Sequence, residues 1–195
     1  MKSPLITIFL ALFLITRAAF TQEMEDPAIS TSSAWIAFIH CAPGAGVVQM
    51  KLGDEFQVDI APGRKVGPVA LRPGDIKLHL TLGEKSSTTI IGLKPDQKLV
   101  AAVVKDPPDG LAVKTLPLPA GEGKRRVMRL PGTGDKVWKI GKKELPVSTL
   151  IPFSGDLSVK DANGKVMKEA NSEEPGIYLL APSADEGEIE IIFMP

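Results

Sequence analysis

The sequence predicts an all-β protein, two small antiparallel β-sandwich modules behind an export signal, and three observations carry that prediction. Short apolar runs recur along the chain, each closed by Gly, Pro or Asp, which is the spacing of antiparallel strands joined by tight turns. The 17 prolines and 18 glycines are spread so that no helix-period stretch survives between them, and both residue types cost stability inside a helix. The segment 75–82 alternates strictly, with Ile76, Leu78, Leu80 and Leu82 apolar and Lys77, His79 and Thr81 between them. That is the period of a strand with one buried and one wet face, and it turns His79 toward solvent.

Residues 1–21 read as a signal peptide. Lys2 supplies the positive start, the run from Leu5 to Ile15 is apolar, and Ala18 and Ala19 are small. The run is much shorter than the roughly 20 residues a helix needs to cross a bilayer, and Arg17 closes it, so it is expected to be cleaved rather than to anchor the chain. The protein is then periplasmic or secreted. Residues 22–33, acidic and then rich in Ser and Thr, read as a flexible leader.

The first module is expected over 34–119, with strands at 34–39, 47–52, 55–60, 65–71, 75–82, 87–93 and 98–105 and an edge strand at 111–118. Gly53-Asp54 suits a two-residue hairpin turn. The stretch 99–104, Leu-Val-Ala-Ala-Val-Val, is apolar on both faces, as in a strand covered on each side or set in the middle of a sandwich. The connector 119–124 is Gly-rich and charged. The second module, 120–195, repeats the style, with strands at 125–130, 136–140, 145–153, 157–160, 165–169, 176–180 and 188–193. Asn163-Gly164 joins two of them as a hairpin, because both residues tolerate positive φ.

Composition narrows the function classes. The 23 basic side chains balance 23 acidic ones, and loss of Lys2 and Arg17 with the signal makes the net charge about −2. With an aromatic content of 5%, this is not the concentrated positive field that a nucleic acid requires. Cys41 is the single cysteine, so no intrachain disulfide forms and stability has to come from the core.

Candidate chemistry is sparse. His40-Cys41 offers an imidazole beside a thiol, a pair able to bind metal or to act as base and nucleophile, but neighbours on a strand point to opposite faces. Two His and one Cys have no zinc-site spacing, and there is no nucleophile-elbow motif. No cofactor and no metal site is expected. The binding candidates are Trp35 and Trp138, which with Tyr178 suit stacking on sugar rings although core packing accounts more simply for at least two of the three, and the basic cluster Lys124, Arg125 and Arg126. That cluster and the bases of 139–144 suit an anionic polysaccharide or a lipid head group; as surface charges they would equally keep an edge strand from aggregating.

The stretch Phe38-Ile39-His40-Cys41-Ala42-Pro43-Gly44-Ala45-Gly46-Val47-Val48-Gln49-Met50 resembles the opening strand of a family of bacterial extracellular β-sandwich domains of unassigned function. That strand typically runs Val-Val-His-Ala-Ser-Pro-Asp-Ala-Pro-Ala-Val-Asp-Val. His40, Pro43, Ala45, Val48 and Met50 match in register, and a Gly-Asp hairpin follows. Cys41 and Ala42 replace the usual Ala-Ser, Gly44 replaces Asp, and Gly46 stands where proline is common. The resemblance spans 34–118.

The two-module layout is also similar to the family of periplasmic accessory proteins of alginate O-acetylation. That likeness implies a non-enzymatic adaptor serving an envelope polysaccharide-modifying complex, with an envelope protein or a polysaccharide as partner. Neither family supplies catalytic residues. The leading expectation is an exported binding or adaptor protein. Its rivals are a structural component of the envelope or extracellular matrix, and a small metal-dependent or hydrolytic enzyme using His40 and Cys41.

Overall fold

The computed structural model describes residues 32–195 apart from 55, 107–109, 120–122, 135, 172 and 186. The predicted signal peptide and nearly all of the predicted leader lie outside them. The described chain is all-β, in four four-stranded sheets.

In chain order the strands are β1 (Ala34–His40), β2 (Val48–Leu52), β3 (Phe56–Ile60), β4 (Lys65–Leu71), β5 (Gly74–Leu82), β6 (Lys85–Leu93), β7 (Lys98–Asp106) and β8 (Gly110–Leu118). There follow β9 (Arg125–Arg129), β10 (Lys139–Ile140), β11 (Lys143–Glu144), β12 (Leu150–Pro152), β13 (Leu157–Lys160), β14 (Val166–Ala170), β15 (Gly176–Pro182) and β16 (Ile189–Met194).

The second eight strands repeat the topology of the first eight. A first inner sheet is ordered β4-β1-β7-β8 and a first outer sheet β3-β2-β5-β6. The second inner sheet, β12-β9-β15-β16, and the second outer sheet, β11-β10-β13-β14, reproduce these orders strand for strand. In both halves the opening strand pairs in parallel with the seventh, β1 with β7 and β9 with β15; the other pairings between these strands are antiparallel, and one isolated parallel bridge joins Arg129 to Val147.

Backbone hydrogen bonds fix the equivalence residue by residue. Cys41 N–H donates to the Val103 carbonyl at 2.7 Å, as Leu130 N–H does to Leu180 at 2.9 Å. Gly63 N–H donates to the His40 carbonyl at 2.8 Å, as Ser148 N–H does to Arg129 at 2.7 Å. His40 therefore corresponds to Arg129, and Gly63 to Ser148. Both members of the latter pair are left-handed, with φ of +75° and +60°.

Three apolar clusters give four layers. Ile36, Phe38, Leu99, Ala101 and Val103 of the first inner sheet pack on Met50, Leu78 and Leu80 of its outer sheet. On the other face of that inner sheet, Ala37, Ile39, Val100, Ala102 and Val104 join Met128, Leu130, Leu179 and Ala181 of the second inner sheet. Val127, Tyr178 and Leu180 close the second sandwich against Trp138, Leu157 and Val159. The expected two-sided strand is β7, whose apolar residues feed a different cluster from each face. At the sheet edge Lys65 Nζ donates to the Phe193 carbonyl at 3.2 Å, tying β4 to β16.

Most predicted strands are present, with departures in the second half. The strand expected over 145–153 is reduced to β12, because Pro146 lacks an N–H for a ladder and Ser148 is left-handed. That expected over 136–140 shrinks to β10, and β11 lies within the basic stretch 139–144, which lacks an apolar alternation. Leu52 pairs with Phe56, so the Gly53-Asp54 connection is one residue longer than a two-residue turn. At the Asn163-Gly164 turn, Asp161 Oδ1 accepts from Asn163 N–H and Lys165 N–H, both at 2.9 Å, capping the hairpin of β13 and β14. His79 lies on the outer face of β5 as its alternation requires, its Nδ1 2.7 Å from Thr88 Oγ1.

Candidate functional site

His40 ends β1, is fully buried, and is committed to the loop that follows. Its Nδ1 accepts from Ala42 N–H at 3.2 Å, which places the ring proton on Nε2, 2.9 Å from the Gly46 carbonyl. Burial lowers the imidazole pKa, and the hydrogen bond to Gly46 offsets only part of that. Cys41 turns into the cluster between the inner sheets, where burial pushes its thiol far above the usual range. The pair is thus split between two faces, with a neutral ring engaged at both nitrogens and a protonated thiol. No group of three His, Cys, Asp or Glu side chains converges among the described residues.

Arg129 does at the end of β9 what His40 does at the end of β1. Its Nε donates to Thr133 Oγ1 at 2.8 Å and its Nη2 to the Gly134 carbonyl at 2.6 Å, stapling the following loop. The guanidinium lies 4.4 Å from the Trp138 ring centroid. Trp138 is only 2% exposed, so its ring is a core surface and not a platform for sugar. Tyr178 is likewise buried, between Phe153 and Phe193, and donates its hydroxyl to the Glu174 carbonyl at 2.9 Å.

The other candidates gather at the opposite end of the inner strands. Trp35, 42% exposed, opens β1; Arg125 and Arg126 open β9, and Lys124 precedes them. Because β1, β7 and β15 start here and β8 and β16 end here, their terminal residues surround one groove of about 660 Å³ between the two inner sheets. Trp35, Leu99, Leu118, Ile177 and Met194 make its walls apolar, with Lys98 beside them. A second depression, lined by Lys124, Arg125, Phe153 and Glu173, shares Gly123 and Pro175 with the groove. Arg125 stacks over Phe153, 5.6 Å from the ring centroid, and donates to the Gly155 carbonyl at 3.2 Å. Arg126 is half-buried on the same strand but lines neither depression.

The volume falls within the roughly 300 to 1,000 Å³ typical of sites for small molecules. The groove can hold an apolar or flat group on Trp35 with Lys98 beside it, while Lys124 and Arg125 offer positive charge, next to Glu173, in the adjoining depression. Of the lining residues only Trp35 was a candidate from the sequence; Lys98, Pro68, Pro175 and Pro195 are among those that sequence reasoning missed. They come from segments far apart in the chain, and none carries a local signal of a binding site.

No protein-family model matches this sequence, and no curated protein matches it at a significant level.

Proposed function

We propose that this chain is an exported, non-catalytic binding or adaptor protein of the cell envelope, whose working surface is the Trp35 groove with Lys98 and the adjoining depression that holds Lys124 and Arg125. The observation that carries this reading is the exposure of Trp35 in an apolar groove on a chain whose other tryptophan and single tyrosine are buried in the core. An exposed aromatic in a concave site with basic residues beside it suits a partner that offers both a flat or apolar group and negative charge. An acidic polysaccharide or an acidic segment of an envelope protein meets that description, and the likeness in layout to the alginate O-acetylation accessory proteins is what suggests a place in a polysaccharide-modifying complex. The enzyme reading built on His40 and Cys41 is weakened by their geometry: neither side chain is presented to a substrate.

The test is a paired capture from envelope extract, with residues 22–195 as bait beside its Trp35→Ala and Lys124→Glu/Arg125→Glu variants. A polysaccharide or acidic protein retained by the parent and lost by both variants, together with a change in Trp35 fluorescence when that partner is added back, supports the reading. A partner retained equally by all three proteins, or turnover of an envelope polysaccharide by the purified chain, sinks it.

A further inference from the structure

The repeated topology shows where the second module departs from the first. In the first module β2 and β3 run five residues each and lay Met50, Leu52 and Ile60 over the core. Their equivalents β10 and β11 are two residues each, Lys-Ile and Lys-Glu, joined through Gly141-Lys142. The equivalent side of the second sandwich is correspondingly less covered. A cleft of about 460 Å³ enters it there, reaching the core residues Val127 and Leu145 and the half-buried Ile151 and Phe153. Lys142, Lys143 and Lys160 line the same cleft with a single carboxylate, Asp156. On a chain of zero formal net charge, three lysines against one aspartate beside an apolar wall is a local bias of both charge and polarity.

We propose that this cleft binds a monomeric anionic amphiphile, a medium-chain carboxylate. Its acyl chain lies along Leu145, Ile151 and Phe153, and its head group meets Lys142, Lys143 and Lys160. The apolar wall excludes a bare anion as the best-fitting occupant, and the lysines exclude a neutral chain. The cleft shares no lining residue with the Trp35 groove, so the site stands apart from the proposed adaptor surface.

Isothermal titration of the full chain with dodecanoate below its micelle threshold tests this, beside butyrate and dodecanol. Expected is one-to-one binding of dodecanoate, with both comparison ligands at least tenfold weaker. Lys142→Gln/Lys143→Gln, two exposed changes that leave the fold intact, should weaken dodecanoate roughly tenfold. Trp35→Ala and a Lys51→Gln/Lys77→Gln control on the first outer sheet should not. Butyrate or dodecanol binding as tightly as dodecanoate would overturn the proposal. So would a lysine variant that binds like the parent, or a chain that ignores monomer and associates only with anionic vesicles.

Discussion

Leu179 is one of the fully buried residues through which the two inner sheets meet, and Leu179→Ala tests whether the modules unfold as one. The side chain is fully buried in the cluster between the inner sheets, and in its own sheet it is flanked by Met128 and Ile192. Across the interface lie small residues, Ala37 and Ala102 among them, set in paired strands that cannot easily move into the space vacated. A buried Leu→Ala change costs about 2 to 5 kcal/mol, and the stiffness of this site argues for about 3. For a chain of this length that lowers the melting midpoint by roughly 6 to 12 °C. The assay uses the two tryptophans as module-specific reporters: Trp35 in the first inner sheet, isolated by Trp138→Phe, and Trp138 in the second sandwich, isolated by Trp35→Phe. Within each background, urea unfolding is compared with and without Leu179→Ala. If the interface couples the modules, both reporters lose the same free energy. A Trp35 transition left in place while the Trp138 transition moves would refute the coupling and make the modules independent.

Two further predictions bear on the loops that staple the inner strands. Gly132 has φ of +88°, and a methyl group on it would overlap the Cys41 carbonyl across the module interface. Gly164, at φ +85°, has no other described atom within 4 Å of such a methyl. Gly164→Ala should therefore show only the left-handed conformational cost of about 1 to 2 kcal/mol, and Gly132→Ala clearly more; equal denaturation midpoints would show that the contact yields freely. His40 is held neutral, its pKa lowered by burial, so the unfolded chain takes up a proton below about pH 6.5 that the folded ring refuses. Stability is complete above that value and falls with decreasing pH toward the folded pKa, by at most about 1.4 kcal/mol per pH unit. Urea midpoints taken near pH 7.5 and 5.5 should differ less in His40→Gln than in the parent, and an unchanged difference would remove His40 from the acid response.

How much of this was legible depended on whether the signal was local. The alternation of Ile76, Leu78, Leu80 and Leu82 fixed β5, its faces and the place of His79, because a period of two needs no knowledge of the partner strand. The opposite orientations of His40 and Cys41 followed from the same rule. The second module was harder to read: Pro146 and the left-handed Ser148 break the segment before β12, and Lys139–Ile140 and Lys143–Glu144 are too short and too charged to show any period. For the site, residue type alone did not separate the two tryptophans. Trp138 lies two residues after Lys136 in a polar stretch, yet the Arg129 guanidinium covers it, and that contact rests on the loop between them.

The four-layer arrangement does have a sequence signature, but it emerges only when the two halves are read together. The stretches 99–104 and 177–181 are each apolar on both faces, Leu-Val-Ala-Ala-Val-Val and Ile-Tyr-Leu-Leu-Ala. A two-sided strand needs cover on each face, and a single small sandwich has only one interior, so one such strand demands an external cover. Two of them, in two modules of one chain, supply that cover for each other. Their outward faces, Val100, Ala102 and Val104 on one side and Leu179 and Ala181 on the other, meet in the same cluster. The outer sheets are then free to diverge, since neither is needed for the contact between modules. The first has five-residue strands over its core where the second has two-residue strands beside a lysine-lined cleft. The repeated topology, with long outer strands in one copy and short ones in the other, thus separates what the fold requires, the shared inner interface, from what each module can vary.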